Sequence, residues 1–292
     1  MTKALSIPTP ETFSFKATVY SHGWSELAPF KLDHEQWRLE YVFRDPGGSA
    51  LPAVIFEDDR NLKIVVDACT FDQESLIRDV RHIFRLDDDL TGLYEVIADN
   101  ERLAWVGEHR AGRLLRSPTA FEDLVKTICT TNCSWALTKI MVANLVAKLG
   151  TSSSEGERAF PTPEAMASVD VDFYRTEMRA GYRSQYFAEL ATAVARGILN
   201  PENWLNSSLP TPELKKEMKM VKGVGDYAAE NLLKLVGRYD GLALDSWLRS
   251  QFYKNHNNGK KCSDEKIARH YKKYGDWGGL VIWCDMTEKW IV

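Results

Sequence analysis

Residues 221–247 read VKGVGDYAAENLLKLVGRYDGLALDSW, and the fold turns on what their glycines and their last aspartate are for. Just upstream, Thr211-Pro212-Glu213 is a strong helix start, and Leu214, Met218 and Val221 fall on one helical face. Gly223-Val224-Gly225 breaks that helix. Asp226 is placed to cap a second one, which carries Ala229, Leu232, Leu233 and Val236. Residues 213–237 therefore read as helix, glycine turn, helix. Glycine accepts positive φ and has no Cβ, so such a turn can press backbone N–H groups against a phosphate. The dipole of the second helix favours the same anion. A GxG alone more often marks a plain interhelical turn. Asp245 changes the balance. It sits in the apolar run LALDSWL, where its one local use is to cap a helix beginning near Trp247. A carboxylate one helix and one loop beyond a phosphate-binding turn is placed to act on the nucleotide held there.

The bulk composition bounds the rest. With 44% hydrophobic and 27% charged residues, the 292-residue chain matches a soluble globular protein with room for a substantial core. No apolar run approaches the roughly 20 residues of a membrane span. The start, MTKALSIPTPETFSF, lacks the apolar centre of a signal peptide, so an intracellular setting, cytoplasm or nucleoid, is expected. Five scattered cysteines fit reduced thiols, and only Cys129 and Cys133 are spaced to share a helix face. The net charge of −4 argues against a chain that coats itself in nucleic acid. That charge is uneven. Residues 1–110 hold 12 Lys/Arg against 20 Asp/Glu, whereas residues 213–292 hold 15 against 11, a surplus suited to an anion.

Organisation follows the same division. The stretches SFKATVY, WRLEYVFRD, ALPAVIFED and NLKIVVDA are short, β-branched or aromatic, and separated by turn residues such as Pro46-Gly47-Gly48 and Asp58-Asp59. They predict strands. FDQESLIRDVRHIFRL then takes helical spacing, with Leu76, Val80 and Ile83-Phe84 on one face. From about residue 90 the pattern is almost wholly helical. Thr119 and Glu122 form a capping-box pair, and a further helix starts near Ser134 and stops at Gly150. The expected fold class is α+β: an N-terminal antiparallel sheet domain over 1–110, then a helical domain over 111–292.

The hairpin followed by Asp245 resembles the helix-hairpin-helix/Gly-Pro-Asp superfamily of DNA base-excision glycosylases. Further segments carry the likeness in order. FRLDDDLTGLYEVI (84–97) and GRLLRSPTAFEDLVKTICTTN (112–132) are similar to 8-oxoguanine DNA glycosylases, and the second also to bacterial 3-methyladenine glycosylase II. AGYRSQYFAELA (180–191) resembles a helix start of the 8-oxoguanine group, and YGDWGGLVIWCD (274–285) the closing helix of the superfamily. The resemblance implies that Asp245 is the catalytic aspartate and that Gly223, Val224 and Gly225 form the hairpin that holds DNA phosphate. It implies that Asn132 is the wedge inserted where a nucleotide has flipped out, and that double-stranded DNA with a damaged base is the partner.

Two departures refine this. Bifunctional members carry a lysine two residues after the second hairpin glycine, where it forms a Schiff base with the sugar. This chain has Tyr227, and a phenol cannot form an imine. Lys222, before the turn, is expected to point away. The resemblance thus implies a monofunctional glycosylase in which water attacks, without lyase activity. Trp247 also replaces a histidine common in the 8-oxoguanine group, which weakens the case for that lesion. Cys262 and Cys284 are too far apart for the iron–sulfur branch, so no cluster and no metal are expected, with a monovalent cation at the hairpin when DNA is bound. Trp24, Trp135, Tyr227 and Trp277 are the aromatic candidates for stacking on the extruded base. A monomer is expected. Two other readings stay open: a catalytically silent damaged-DNA-binding module, and an 8-oxoguanine glycosylase/lyase with a displaced amine.

Overall fold

The structure is a computed structural model that describes residues 2–291. Its strands form where apolar residues alternate: β1 (Thr2–Pro8), β2 (Lys31–Asp33), β3 (Arg38–Arg44), β4 (Ala50–Asp58) and β5 (Asn61–Asp67). They make one antiparallel sheet in the order β1-β5-β4-β3-β2. Leu51, Ala53 and Ile55 of β4 and Leu62, Ile64 and Val66 of β5 are buried on one face. The register pairs Ile55 with Ile64 and Ala53 with Val66. The β4–β5 hairpin closes through Asp59 and Arg60, both at positive φ (42° and 60°). That backbone matches the right-handed twist of the strands, and aspartate tolerates it well. Helix Gln73–Ile83, capped by Asp72 through the Ser75 N–H, contributes Leu76, Val80 and Ile83 to the same core.

One predicted strand is corrected. SFKATVY contains a helix, Phe15–Val19, because the Ser14 hydroxyl accepts the Ala17 N–H and caps it. Phe15, Ala17, Thr18 and Val19 are then all buried. The two strands of the sheet outside the predicted stretches are β1 and the short edge strand β2.

The remainder is mostly helical. The Thr119 hydroxyl accepts the Glu122 N–H and starts helix Ala120–Thr130. The Glu122 carboxylate does not return to the cap. It is buried, accepts the Tyr41 hydroxyl at 2.7 Å and pairs with Lys126 at 2.6 Å. Ser134 caps helix Trp135–Leu149 through the Leu137 N–H. The chain ends in helix Gly278–Ile291. One apolar cluster joins the inner face of the sheet to helices as far as Leu235, and a second joins residues around Leu90–Leu114 to Tyr239–Met286. Both draw on residues either side of position 110, and in the first the sheet and the helices share one core. Among the described residues, no helix is long and apolar enough to cross a membrane.

Candidate active site

The hairpin helices are Thr211–Lys219 and Asp226–Leu235. Between them Gly223 takes φ +91°, and a Cβ there would lie 2.9 Å from the Tyr186 ring. Both the backbone and the packing require glycine at this position. Gly225 differs: its φ is −88°, and an added Cβ would meet nothing within 4 Å. The protein itself gives no steric reason for glycine there. Among the described residues, the Gly223 and Gly225 N–H groups donate to no protein acceptor. They are free donors beside a helix N-terminus, the arrangement an anion needs. Asp226 does not cap the second helix as its sequence position suggests. Its carboxylate turns to the first helix, pairing with Lys219 at 2.9 Å and Lys215 at 3.2 Å. Lys222 pairs with Glu189 at 2.7 Å, away from the cleft.

The chain then crosses a tightly held loop to Asp245. The C-terminal helix docks on this loop, since the Gly279 N–H donates to the Tyr239 carbonyl at 2.6 Å. A Cβ on Gly279 would fall 1.9 Å from the Gly241 carbonyl oxygen. Ala243 has φ +52°, a conformation costly for a residue with a Cβ, so the surroundings must hold it. Asp245 is the N-cap of helix Ser246–His256, with its Oδ1 accepting the Leu248 N–H at 2.7 Å. The capping role is therefore real, and it fixes the direction of the carboxylate.

Asp245 opens onto a cleft of about 750 Å³. Five of the nine tryptophans line it: Trp24, Trp135, Trp247, Trp283 and Trp290. Trp24 is held from behind by a 2.8 Å hydrogen bond from its indole N–H to buried Asp123. Burial, opposed by that bond and by the Ser117 N–H, pushes the Asp123 carboxyl up to about 6. Trp135 covers Gly23, where a Cβ would come within 2.9 Å of the indole ring. Trp247, Trp283 and Trp290 pack on one another with ring centroids 5.2–6.0 Å apart. Tyr227 also lines the cleft, and burial, with the Asp245 charge second, raises its phenol to about 12. It stays a neutral hydroxyl. His22 lies against Trp24 with centroids 4.6 Å apart, and its Nδ1 is 2.9 Å from the Ser21 hydroxyl. Burial and nearby cations lower it to about 3, and its Nε2 is buried without a partner among the described residues.

Four of the aromatic and acidic candidates thus meet at one cleft: Asp245, Tyr227, Trp24 and Trp135. Trp277 does not. It stacks on Tyr239 at 5.3 Å and lies over Gly92, because the non-helical Gly275 turns it into the interior contact between residues near 92 and the C-terminal helix. Asn132 is outside the cleft lining. It is exposed, with φ +46°, and its amide nitrogen is 3.3 Å from the Tyr182 hydroxyl. Its loop follows the helix whose Ile128 packs under the Gly223 turn. Sequence reasoning missed His22, Lys234, Trp283 and Trp290 as lining residues. The last two are seven apart, two turns on one helix face, and Lys234 interrupts the apolar run LLKLV. Of metal donors, His256, His270 and Asp285 have ligand atoms within 4.8 Å of one another. None lines the cleft, and Asp285 already accepts from His256, Tyr271 and Arg102.

This is the helix-hairpin-helix glycosylase fold. The chain superposes on an 8-oxoguanine glycosylase/lyase of Clostridium acetobutylicum with a TM-score of 0.77, 18% identity, and coverage of 100% of this chain and 98% of the other. It superposes on a 3-methyladenine DNA glycosylase of Archaeoglobus fulgidus with a TM-score of 0.75 and 18% identity, covering 98% of each. In sequence it is 21% identical over 236 residues to a probable N-glycosylase/DNA lyase of Methanothermobacter thermautotrophicus (strain Delta H), spanning 72% of this chain and 74% of that protein. No protein-family model matches the chain.

Proposed function

We propose that the chain is a monofunctional DNA glycosylase that hydrolyses the N-glycosidic bond of a damaged purine, alkylated or oxidised, in duplex DNA. The observation that carries this is Asp245, held by its capping bond at the mouth of an aromatic cleft, next along the chain from a glycine turn with free N–H donors. The hairpin and the positive C-terminal third hold phosphate without reading sequence. A damaged base leaves the stack, at a few kcal/mol that a lesion reduces, and enters between the indoles. As the C–N bond lengthens, the deoxyribose gains positive charge. Ionised Asp245 stabilises that charge and directs water to C1′. Tyr227, neutral and unable to form an imine, occupies the place where the resemblance puts the lysine of bifunctional members. Release of free base from duplexes carrying 3-methyladenine, 7-methylguanine, hypoxanthine or 8-oxoguanine tests this reading, and no release from any of them sinks it.

A second reading, a glycosylase/lyase, is favoured by one feature. Among the described residues lining the cleft, Lys234 is the only one with an amine.

A further inference from the structure

Lys234 and Glu230 are one turn apart on the second hairpin helix, and they grip opposite ends of a single peptide group. The Lys234 ammonium donates to the Leu242 carbonyl at 3.2 Å, and the Glu230 Oε2 accepts the Ala243 N–H at 2.5 Å. The carbonyl of residue 242 and the N–H of residue 243 belong to the same peptide plane, so the two side chains set its orientation. The gripped residue is Ala243, 1% exposed and at φ +52°, two positions before Asp245. Beside it, a Cβ on Gly241 would lie 2.9 Å from the Glu230 Cγ, so the loop is pressed onto this side chain. The other carboxylate oxygen of Glu230 accepts from Lys215 on the first hairpin helix at 2.5 Å, and Lys215 also reaches Asp226 beside the turn. A continuous polar chain thus runs from the anion-binding turn to the loop that carries the carboxylate.

We infer that the Lys234–Glu230 pair is a clamp that positions Asp245 relative to the hairpin, and that Lys234 is a positioning residue rather than an imine-forming nucleophile. The inference rests on the glycosylase reading above. Lys234 is 2% exposed and its amine is committed to the Leu242 carbonyl, which removes it from attack on a sugar. Burying an ammonium is costly, and a hydrophobic side chain of similar length would suit the fold at least as well. The clamp gives that cost a purpose, because displacement of a reacting group by about 1 Å slows a reaction on the order of 100-fold.

The charge on Lys234 supplies a readout. Burial lowers its ammonium to about 8, opposed by the Glu230 and Asp245 carboxylates. Tyr227 and Cys284, both raised to about 12, stay protonated through that window, and His22, lowered to about 3, stays neutral. Single-turnover base release by the full chain is therefore expected to fall on the alkaline side with a midpoint near pH 8. Lys234→Met should slow release on the order of 100-fold at pH 7 and remove that limb, with binding to undamaged duplex unchanged. Glu230→Gln removes a carboxylate that keeps the ammonium charged, so the limb should move to lower pH. Independently of activity, hydrogen exchange at pH 7 should show the 239–245 segment less protected in Lys234→Met while the hairpin helices keep their protection. The clamp is overturned if 239–245 exchanges alike in both proteins, if Glu230→Gln leaves the limb at pH 8, or if borohydride yields an adduct mapped to Lys234. Wild-type protein that releases no base defeats the glycosylase reading, while the exchange result alone still decides the clamp.

Discussion

Asp245→Asn separates charge from architecture. Asp245 does two things at once: it caps helix Ser246–His256 through the Leu248 N–H at 2.7 Å, and it presents a carboxylate to the cleft. Asparagine caps as well as aspartate, so the substitution should leave stability within about 0.5 kcal/mol of wild type. Alanine would lose the cap and cost about 1 kcal/mol. The charge is another matter. Two unit charges about 4 Å apart at an effective dielectric constant of about 20 attract by about 4 kcal/mol. Losing that attraction in the transition state slows the reaction by about three orders of magnitude. The assay is single-turnover release from a lesion duplex, with Tm and duplex affinity measured on the same preparations. Asparagine turnover within a few-fold of wild type refutes the electrostatic role. So would a loss of rate that follows a matching loss of Tm, since it would assign the effect to the cap.

Two further outcomes follow from the geometry, and one, at Asn132, from the wedge role that the resemblance implies. Gly225→Val should fold normally, because an added Cβ meets nothing within 4 Å, yet weaken binding to damaged and undamaged duplex alike; a loss confined to the lesion would give the turn another task. Asn132→Ala should lower activity more on paired duplex than on mismatched or single-stranded substrate, since a wedge matters least where the base is already loose; equal losses on all three would make it a folding or pocket residue. Asp285 sets an acid dependence. Burial raises its carboxyl, but bonds from His256, Tyr271 and Arg102 overcome this and hold it at about 2. A folded value below the unfolded one means stability that is complete above about pH 4 and is lost as pH falls towards 2, about 2 kcal/mol in all. The urea midpoint should therefore drop more steeply between pH 5 and pH 2.5 in wild type than in Asp285→Asn, and parallel curves would count against this ion cluster.

Much of this architecture is legible in the sequence, for local reasons. The hairpin declares itself through Thr211-Pro212, the two glycines and the stripe Ala229-Leu232-Leu233, all short-range features. Strands β3, β4 and β5 follow from alternation and from turn residues between them. SFKATVY misleads because β-branched and aromatic residues suit a strand equally well; the helix start is held by the Ser14 hydroxyl accepting the Ala17 N–H and the Glu57 carboxylate accepting the Phe15 N–H, bonds that propensity does not weigh. Asp245 is readable from its spacing to the turn, and Tyr227 from the place the resemblance gives it two residues after the second glycine. Trp277 is not, because the direction of its ring depends on the backbone at Gly275 and on Tyr239, distant in sequence. His22 enters the cleft through a loop held by the C-terminal helix, whose Trp283 N–H donates to the Ser21 carbonyl at 2.7 Å across 262 residues. Contacts of that range leave no local pattern.

The most direct test of the central claim is the fate of the DNA strand. Wild-type protein is incubated with a 5′-labelled duplex carrying the lesion it processes fastest, with and without borohydride, and products are resolved before and after alkali. With Tyr227 after the turn and Lys234 committed to the Leu242 carbonyl, free base should appear while the strand stays intact until alkali cuts it at the abasic site, and no covalent complex should form. Strand cleavage without alkali, together with efficient borohydride trapping, would mean that an amine attacks C1′, and the hydrolytic account would be wrong.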